Sequence, residues 1–283
     1  MSRIALLTDS GADIPSHLLK RYHITLLPLL VHFGDEDAPD NFADRDIFWR
    51  RVAAGGVPRT AAPAPAVFAQ AFEQALADAD EALIVTLTSR HSSTWQNVTL
   101  AAKNFDGRIH VFDSWALSVG QSLIVLQAAD LIAQGWDAPA ILDRLQDARS
   151  RLHFYIYLNS LDAIQHGGRI ALAMNAVKRM SSILSIRIIL GMKEGELKLT
   201  GAVRSPQKGI QFIVRAIEGK QAEAVAIAHT RAPDLADRLA ALTASALHFP
   251  QNDILFTEAG AVLGTHGGPR AFGVALIESA ARR

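Results

Sequence analysis

Ala82-Leu83-Ile84-Val85-Thr86-Leu87-Thr88-Ser89-Arg90-His91-Ser92-Ser93-Thr94-Trp95 is the stretch on which the reading of this chain turns. An apolar, β-branched run stops abruptly in a cluster of hydroxyls, and Gln96 to Lys103 then read as a helix. A strand that turns sharply into a helix leaves backbone N–H groups unpaired at the helix start, with the positive end of the dipole behind them. Ser and Thr at that place can cap the helix or donate to a small anion. One or two hydroxyls suffice for a cap, and this turn offers five between Thr88 and Thr94. The surplus points to a ligand.

Outward from this turn, residues 1–150 alternate strand and helix signals. Ile4 to Leu7 reads as a short buried strand, and Asp13-Ile14-Pro15 as the start of a helix running to Tyr22, with Asp13 as cap. Ile24 to Phe33 reads as a second strand in which Pro28 marks an edge. Helices are predicted over 43–53 and 66–77 with a loop at Thr60 to Pro65, then over 95–103, 118–134 and 139–151. Ile109 to Ser114 reads as a strand. Such alternation predicts a parallel sheet covered on both faces, with ligands gathering outside the carboxyl ends of its strands. Thr8-Asp9-Ser10, Thr88 to Thr94 and Asp113-Ser114 all fall at those ends.

Beyond residue 155 the pattern changes. Phe154 to Leu158 is strand-like, followed by a helix, the turn His166-Gly167-Gly168-Arg169 and a helical stretch over 171–185. A hairpin is predicted over 187–203, a strand over 222–229, a helix over 232–247, a short strand at 254–256, and a closing helix or strand over 271–280. The expected fold class is therefore α/β in two domains. Residues 1–153 form a three-layer unit with a largely parallel sheet, and residues 154–283 an α/β unit with mixed or antiparallel pairing.

Composition narrows the function. The 283 residues are 49% hydrophobic and 20% charged, enough to bury a full core. Lys+Arg and Asp+Glu both number 28, so there is no basic footprint for nucleic acid. Cysteine is absent, which removes thiol catalysis and Cys-ligated metals. No uncharged run approaches the ~18 residues of a membrane span, and the N-terminal apolar run is too short for a signal peptide. A soluble, cytoplasmic protein without stable membrane insertion is expected.

Three further groups could carry chemistry. Gly264-Thr265-His266-Gly267-Gly268-Pro269 reads as a flexible loop presenting an imidazole, which can donate to a carboxylate. Arg169 after its glycine pair can clamp a carboxylate or phosphate, and Arg204-Ser205 offers a weaker version of the same. Ser92 or Ser93 with His266 and Asp9 or Asp113 would supply a triad by residue type, but no Gly-x-Ser-x-Gly elbow is present. Neither a P-loop, a Rossmann glycine fingerprint nor a His-Glu-x-x-His zinc motif occurs. A hydroxyl-rich pocket without a clear general base reads as binding, with a serine-dependent hydrolase or acyl-phosphate-handling enzyme, and a sensor or interaction module, as the alternatives.

With these segments in hand, the chain resembles the DegV family, the fatty-acid-binding proteins of bacterial fatty acid kinase systems. The resemblance runs nearly end to end. It rests on Thr8-Asp9-Ser10-x-x-Asp13-Ile14-Pro15, Pro28-Leu29, the Thr60 to Pro65 loop and the Ser89 to Gln96 turn. Val111-Phe112-Asp113-Ser114, Gly167-Gly168-Arg169-Ile170 and Gly264-Thr265-His266-x-Gly268-Pro269 complete it. It implies one long-chain fatty acid buried between two domains, no cofactor, and presentation of the acyl group to a partner kinase. By position, the carboxylate is held by Thr60, Ser92 and His266 with Arg169 in support, and Ser93, Thr94 and Gly267 complete the ligand set. The chain departs from the pattern at Ala61 and Ala64, which lack customary hydroxyls. It also departs at His91 in place of leucine, at Ser93 and Arg270 in place of glycine, and at Arg187-Ile188 in place of Lys-Pro. Ser93 and Arg270 are the residues expected to offset the lost donors.

Overall fold

The computed structural model describes residues 2–40, 45–160 and 186–280. β1 (Ile4–Asp9) lies between β2 (Thr25–Leu27) and β6 (Glu81–Thr86), and β6 pairs in turn with β7 (Ile109–Asp113). All three pairings are parallel. Alternate residues of these strands point to opposite faces, and both sets are apolar. Leu7, Ala82 and Ile84 pack under α3 (Pro65–Asp78) and α4 (Thr94–Ala102) with Phe68, Phe72 and Val98. Leu6, Leu83 and Val85 face α5 (Ser118–Ala133).

The second sheet has the order β10-β9-β8-β13-β11-β12. Its strands are β8 (Leu152–Leu158), β9 (Arg187–Lys193), β10 (Glu196–Val203), β11 (Ala222–His229), β12 (Leu255–Glu258) and β13 (Phe272–Glu278). Only β11 and β12 run parallel; the other pairings are antiparallel. On β13, Phe272, Val274 and Leu276 pack against α7 (Pro206–Ile217) and α8 (Pro233–Leu247), while Ala275 and Ile277 turn toward α5. The α5 helix therefore lies between the two sheets, which is why it is apolar around most of its circumference. One core joins Leu6 and Val85 of the parallel sheet to Phe154, Ala226 and Ala275 of the mixed one. The mixed α/β class read from the sequence is the class observed.

The structure corrects several local readings. The segment Ile24–Phe33 is two strands, not one: the chain breaks at Pro28-Leu29. Beyond the break, β3 (Leu30–Phe33) joins a separate antiparallel sheet with β4 (Glu36–Pro39) and β5 (Pro58–Ala61). The helix α2 (Arg45–Ala53) lies between β4 and β5 in the chain and packs Phe48 and Trp49 against Leu29 and Val31. Thr60 and Ala61 thus belong to a strand, and the loop begins after them. Asp13 does not cap the helix that follows it; α1 (Ser16–Arg21) starts after Pro15, and Asp13 is wholly buried with a positive φ of 53°. The glycine-flanked His266 sits in the last turn of a helix, α9 (Ala261–Gly267), not in an open loop. α7 was not expected at all. Its Ser205-Pro206 start is a helix signal, but Gly209 inside it weakens the pattern. Gly209 is needed there because an added Cβ would lie 2.4 Å from the Tyr157 ring. The expected helix after Leu158, the turn bearing Arg169 and the helix over 171–185 lie outside the described residues.

Candidate functional site

The hydroxyl turn is fixed by bonds to its neighbours before any ligand is considered. Leu87 N–H donates to the Asp9 carboxylate (2.8 Å), Thr88 N–H to the Ala116 carbonyl (2.8 Å), and Ser114 N–H to the Thr86 carbonyl (3.1 Å). Thr88 Oγ1 donates across to the Gly195 carbonyl at the tip of the β9–β10 hairpin, at 2.7 Å. Leu197 N–H of the same hairpin donates to His91 Nε2 at 2.9 Å, so the turn and the hairpin are tied at two points. Ser92 Oγ pairs with Thr94 Oγ1 (2.8 Å) and accepts the Thr94 N–H (3.2 Å). This is a local Ser-turn of the kind that starts a helix.

His266 arrives from the other side on α9. Gly268, at φ +67°, turns the chain out of the helix, and its N–H closes on the Gly264 carbonyl at 2.9 Å. Thr230 Oγ1 then donates to the Gly268 carbonyl (2.6 Å), which holds this helix end against β11. Within the last turn, His266 Nε2 and Thr60 Oγ1 lie 2.9 Å apart, bridging 206 positions of sequence.

Thr60, His91, Ser92 and His266 line one cavity together with the apolar side chains of Leu29, Leu87 and Val262. A second cavity lies against it, sharing Leu117, Leu197, Leu263 and His266 as walls. Its remaining lining is largely apolar and comes from the mixed sheet: Phe154, Ile156, Leu158, Leu190 and Phe272 among others. The two cavities hold about 590 and 580 Å³ of empty space, counting the part of each that opens to solvent.

The expected site residues separate cleanly. Thr60, Ser92 and His266 converge on the polar cavity; Thr94 is buried behind Ser92, and Gly267 lines the apolar cavity. Ser93 is exposed and makes no side-chain cap at the start of α4. Arg270 is exposed and paired with Asp234 at 3.0 Å, so neither residue compensates for the alanines from where it stands. Ala61 lines the polar cavity, whereas Ala64 is the residue preceding α3, where a hydroxyl would serve the helix end instead. Arg204 is exposed, and Ser205 caps α7 by accepting the Lys208 N–H. Arg169 lies outside the described residues.

Two carboxylates stand behind the site: Asp13, which the sequence offered as a helix cap, and Asp40, which it did not single out. Asp13 Oδ1 accepts the Gly260 N–H (2.7 Å), and Asp40 Oδ1 accepts the Ala261 N–H (2.9 Å), both at the start of α9. Ser118 Oγ donates to the other oxygen of Asp13 (2.6 Å) and Ser10 Oγ to that of Asp40 (2.9 Å). Burial pushes Asp13 up to about 7 against the pull of its hydrogen bonds, with the nearby Asp40 charge adding to the rise. Asp40 is raised for the same first reason. Asp9, wholly buried beneath the turn, is pushed up to about 6 by burial. Arg45, itself lowered by burial, faces the charges of Asp13, Glu258 and Asp40. The polar run Thr8-Asp9-Ser10 at the end of an apolar strand, with Asp13 close behind, was the signal available in the sequence; the long-range partner of Asp13 was not. No cluster of His, Cys, Asp and Glu suited to a metal occurs among the described residues.

Fold and site together define an α/β protein with two adjoining, largely apolar cavities that share His266, the hydroxyl-bearing residues Thr60 and Ser92 lining one of them. Residues 3–279 match the family model "Uncharacterised protein, DegV family", and the chain belongs to the DegV family. It is 30% identical over 285 residues to a DegV domain-containing protein of Caldanaerobacter subterraneus, covering 98% of this chain and all of that one. It is 27% identical to a fatty acid-binding protein of Thermotoga maritima, covering 98% and 99% of the two chains. A solved structure from Thermus thermophilus, reported for fatty acid binding of a DegV family protein, superposes with a TM-score of 0.89 at 29% identity, covering 98% and 100%.

Proposed function

We propose that this protein binds one long-chain fatty acid, with the carboxylate at the Thr60, Ser92 and His266 end and the alkyl chain in the apolar cavity. The observation that carries this reading is the 2.9 Å approach of Thr60 to His266 in a cavity walled, beyond His266, by side chains of the mixed sheet. A hydroxyl and an imidazole donate to a carboxylate without the cost of burying a full countercharge. The relatives from Thermotoga maritima and Thermus thermophilus, named for fatty acid binding, support the same ligand class.

The energetics divide along the cavity. Burying a methylene is worth about 0.8 kcal/mol, so a sixteen-carbon tail gains on the order of 10 kcal/mol before ordering costs. A hydrogen bond to a charged group adds about 1.5–3 kcal/mol. The tail sets affinity, and the polar end selects an acid and fixes its orientation. Thr94 acts by holding Ser92, and Gly267 by leaving the cavity wall beside His266 bare of a side chain.

The protein serves in this reading as a binder that hands its acyl group to a partner kinase or acyl-transfer system, not as an enzyme. A serine-dependent hydrolase asks for an imidazole on Ser92 Oγ, but Ser92 is paired with Thr94, and His91 Nε2 already accepts from Leu197. Titration of delipidated protein with hexadecanoic acid is the test. Saturable binding of one acid per chain is expected; no uptake of any acid of about fourteen to eighteen carbons overturns the proposal.

A further inference from the structure

α9 is only seven residues long, yet its start receives two buried carboxylates from a distant part of the chain. Asp13 takes the Gly260 N–H and Asp40 the Ala261 N–H. These are donors that a helix start leaves unpaired, and carboxylates are the strongest acceptors for them. Each carboxylate is itself held on its second oxygen by a serine, Ser118 or Ser10. Both serines belong to the site's own frame. Ser118 lines the apolar cavity, and Ser10 Oγ accepts the N–H of Leu29, which lines the polar one. The fit is close: a Cβ on Gly260 would lie 3.0 Å from Asp40 Oδ1 and 3.1 Å from Oδ2. Downstream, Gly264 is packed equally tightly, its Cβ position 3.0 Å from the Trp49 ring and 3.1 Å from Phe48. Clasped at its start and flanked by aromatic rings, the helix has little freedom to translate. His266 stands on its last turn, within hydrogen-bond distance of Thr60.

We propose that Asp40, together with Asp13, is a positioning residue for His266: the two carboxylates clasp the first turn of α9 and so set where the imidazole meets Thr60 and the ligand's carboxylate. The inference rests on the fatty-acid reading of the same site. A displacement of the imidazole by about an ångström is enough to lose a directional hydrogen bond, while an alkyl tail tolerates it. The clasp therefore bears on the choice of head group and leaves grip on the tail alone.

The test compares the affinity of hexadecanoic acid with that of hexadecanol, which has the same tail and no carboxylate. In Asp40→Ala, the acid is expected to weaken about tenfold while the alcohol stays within about twofold. Asp40→Asn, which keeps an acceptor for the Ala261 N–H, is expected to restore most of the acid's affinity. Should Asp40→Ala fold poorly, Gly260→Ala crowds the same carboxylate without removing a charge or a donor, and the same selective loss is expected. Equal loss for acid and alcohol, or no loss in any variant, overturns the positioning role while wild-type binding of the acid stands. Wild-type protein that binds neither compound overturns the fatty-acid reading instead.

Discussion

The two ends of the cavity are built on opposite principles. The polar end gathers Thr60 from a strand, Ser92 from a strand-to-helix turn and His266 from a seven-residue helix, and it is held by directional bonds between segments far apart in sequence. The apolar end is the face of one sheet, where the alternate residues Phe154, Ile156 and Leu158 of β8, with Leu190 beside them on β9, supply a wall without any special conformation. One end depends on a few exact placements and the other on many interchangeable contacts. Single substitutions should therefore change which ligand is chosen at the first and how tightly anything is held at the second.

The largest effect is expected where the ends meet. Leu197 lines both cavities, and Leu197→Asp sets a carboxylate in the path of the tail and near the ligand's own charge. Binding of hexadecanoic acid and hexadecanol should both fall by about a hundredfold or more in equilibrium titrations, since an unpaired charge in an apolar site costs several kcal/mol. An unchanged affinity would mean that the tail runs elsewhere. Next comes His266→Ala, which should weaken the acid about ten- to a hundredfold and spare the alcohol. Equal weakening of both would erase the contrast between the two ends.

A smaller effect concerns the carboxylates behind the polar end. Asp13 holds its proton up to about 7 when folded, against an ordinary 3.8. The proton-linked stability is complete below about pH 4 and is lost as pH rises through 7. Thermal melts should show Asp13→Asn losing less stability than wild type between pH 4 and pH 7. A parallel decline in both would show that Asp13 is not the group responsible. The smallest effect belongs to Ser93→Ala, expected to leave acid binding within about twofold because Ser93 is exposed and caps nothing. A large loss there would move the ligand's head group outward, toward the surface of the turn.

How much of this was legible in the sequence follows the same contrast. The parallel sheet was readable because its strands are short apolar runs closed by polar clusters, and the hairpin over 187–203 because Glu194-Gly195 marks its turn. Ser92 stood out in a cluster of hydroxyls and His266 as an imidazole among glycines, whereas Thr60 came only with the family resemblance, 206 positions from His266. The apolar lining of the second cavity was hidden. Phe154, Ile156 and Leu190 look like ordinary core, and only strand register tells that they share the face that meets the cavity. Asp13 was misread because Asp before Ile-Pro is a common helix start, and nothing local reveals that its carboxylate serves Gly260 on another segment. The small sheet of β3, β4 and β5 was missed because Pro28 breaks what reads as one continuous apolar strand.

Mass spectrometry of solvent extracts from natively purified protein probes the central claim most directly. The account predicts an unbranched or singly unsaturated acid of about fourteen to eighteen carbons, near one per chain, with yield falling in Leu197→Asp. Extracts free of any acid, or holding a ligand without an alkyl tail, would contradict it.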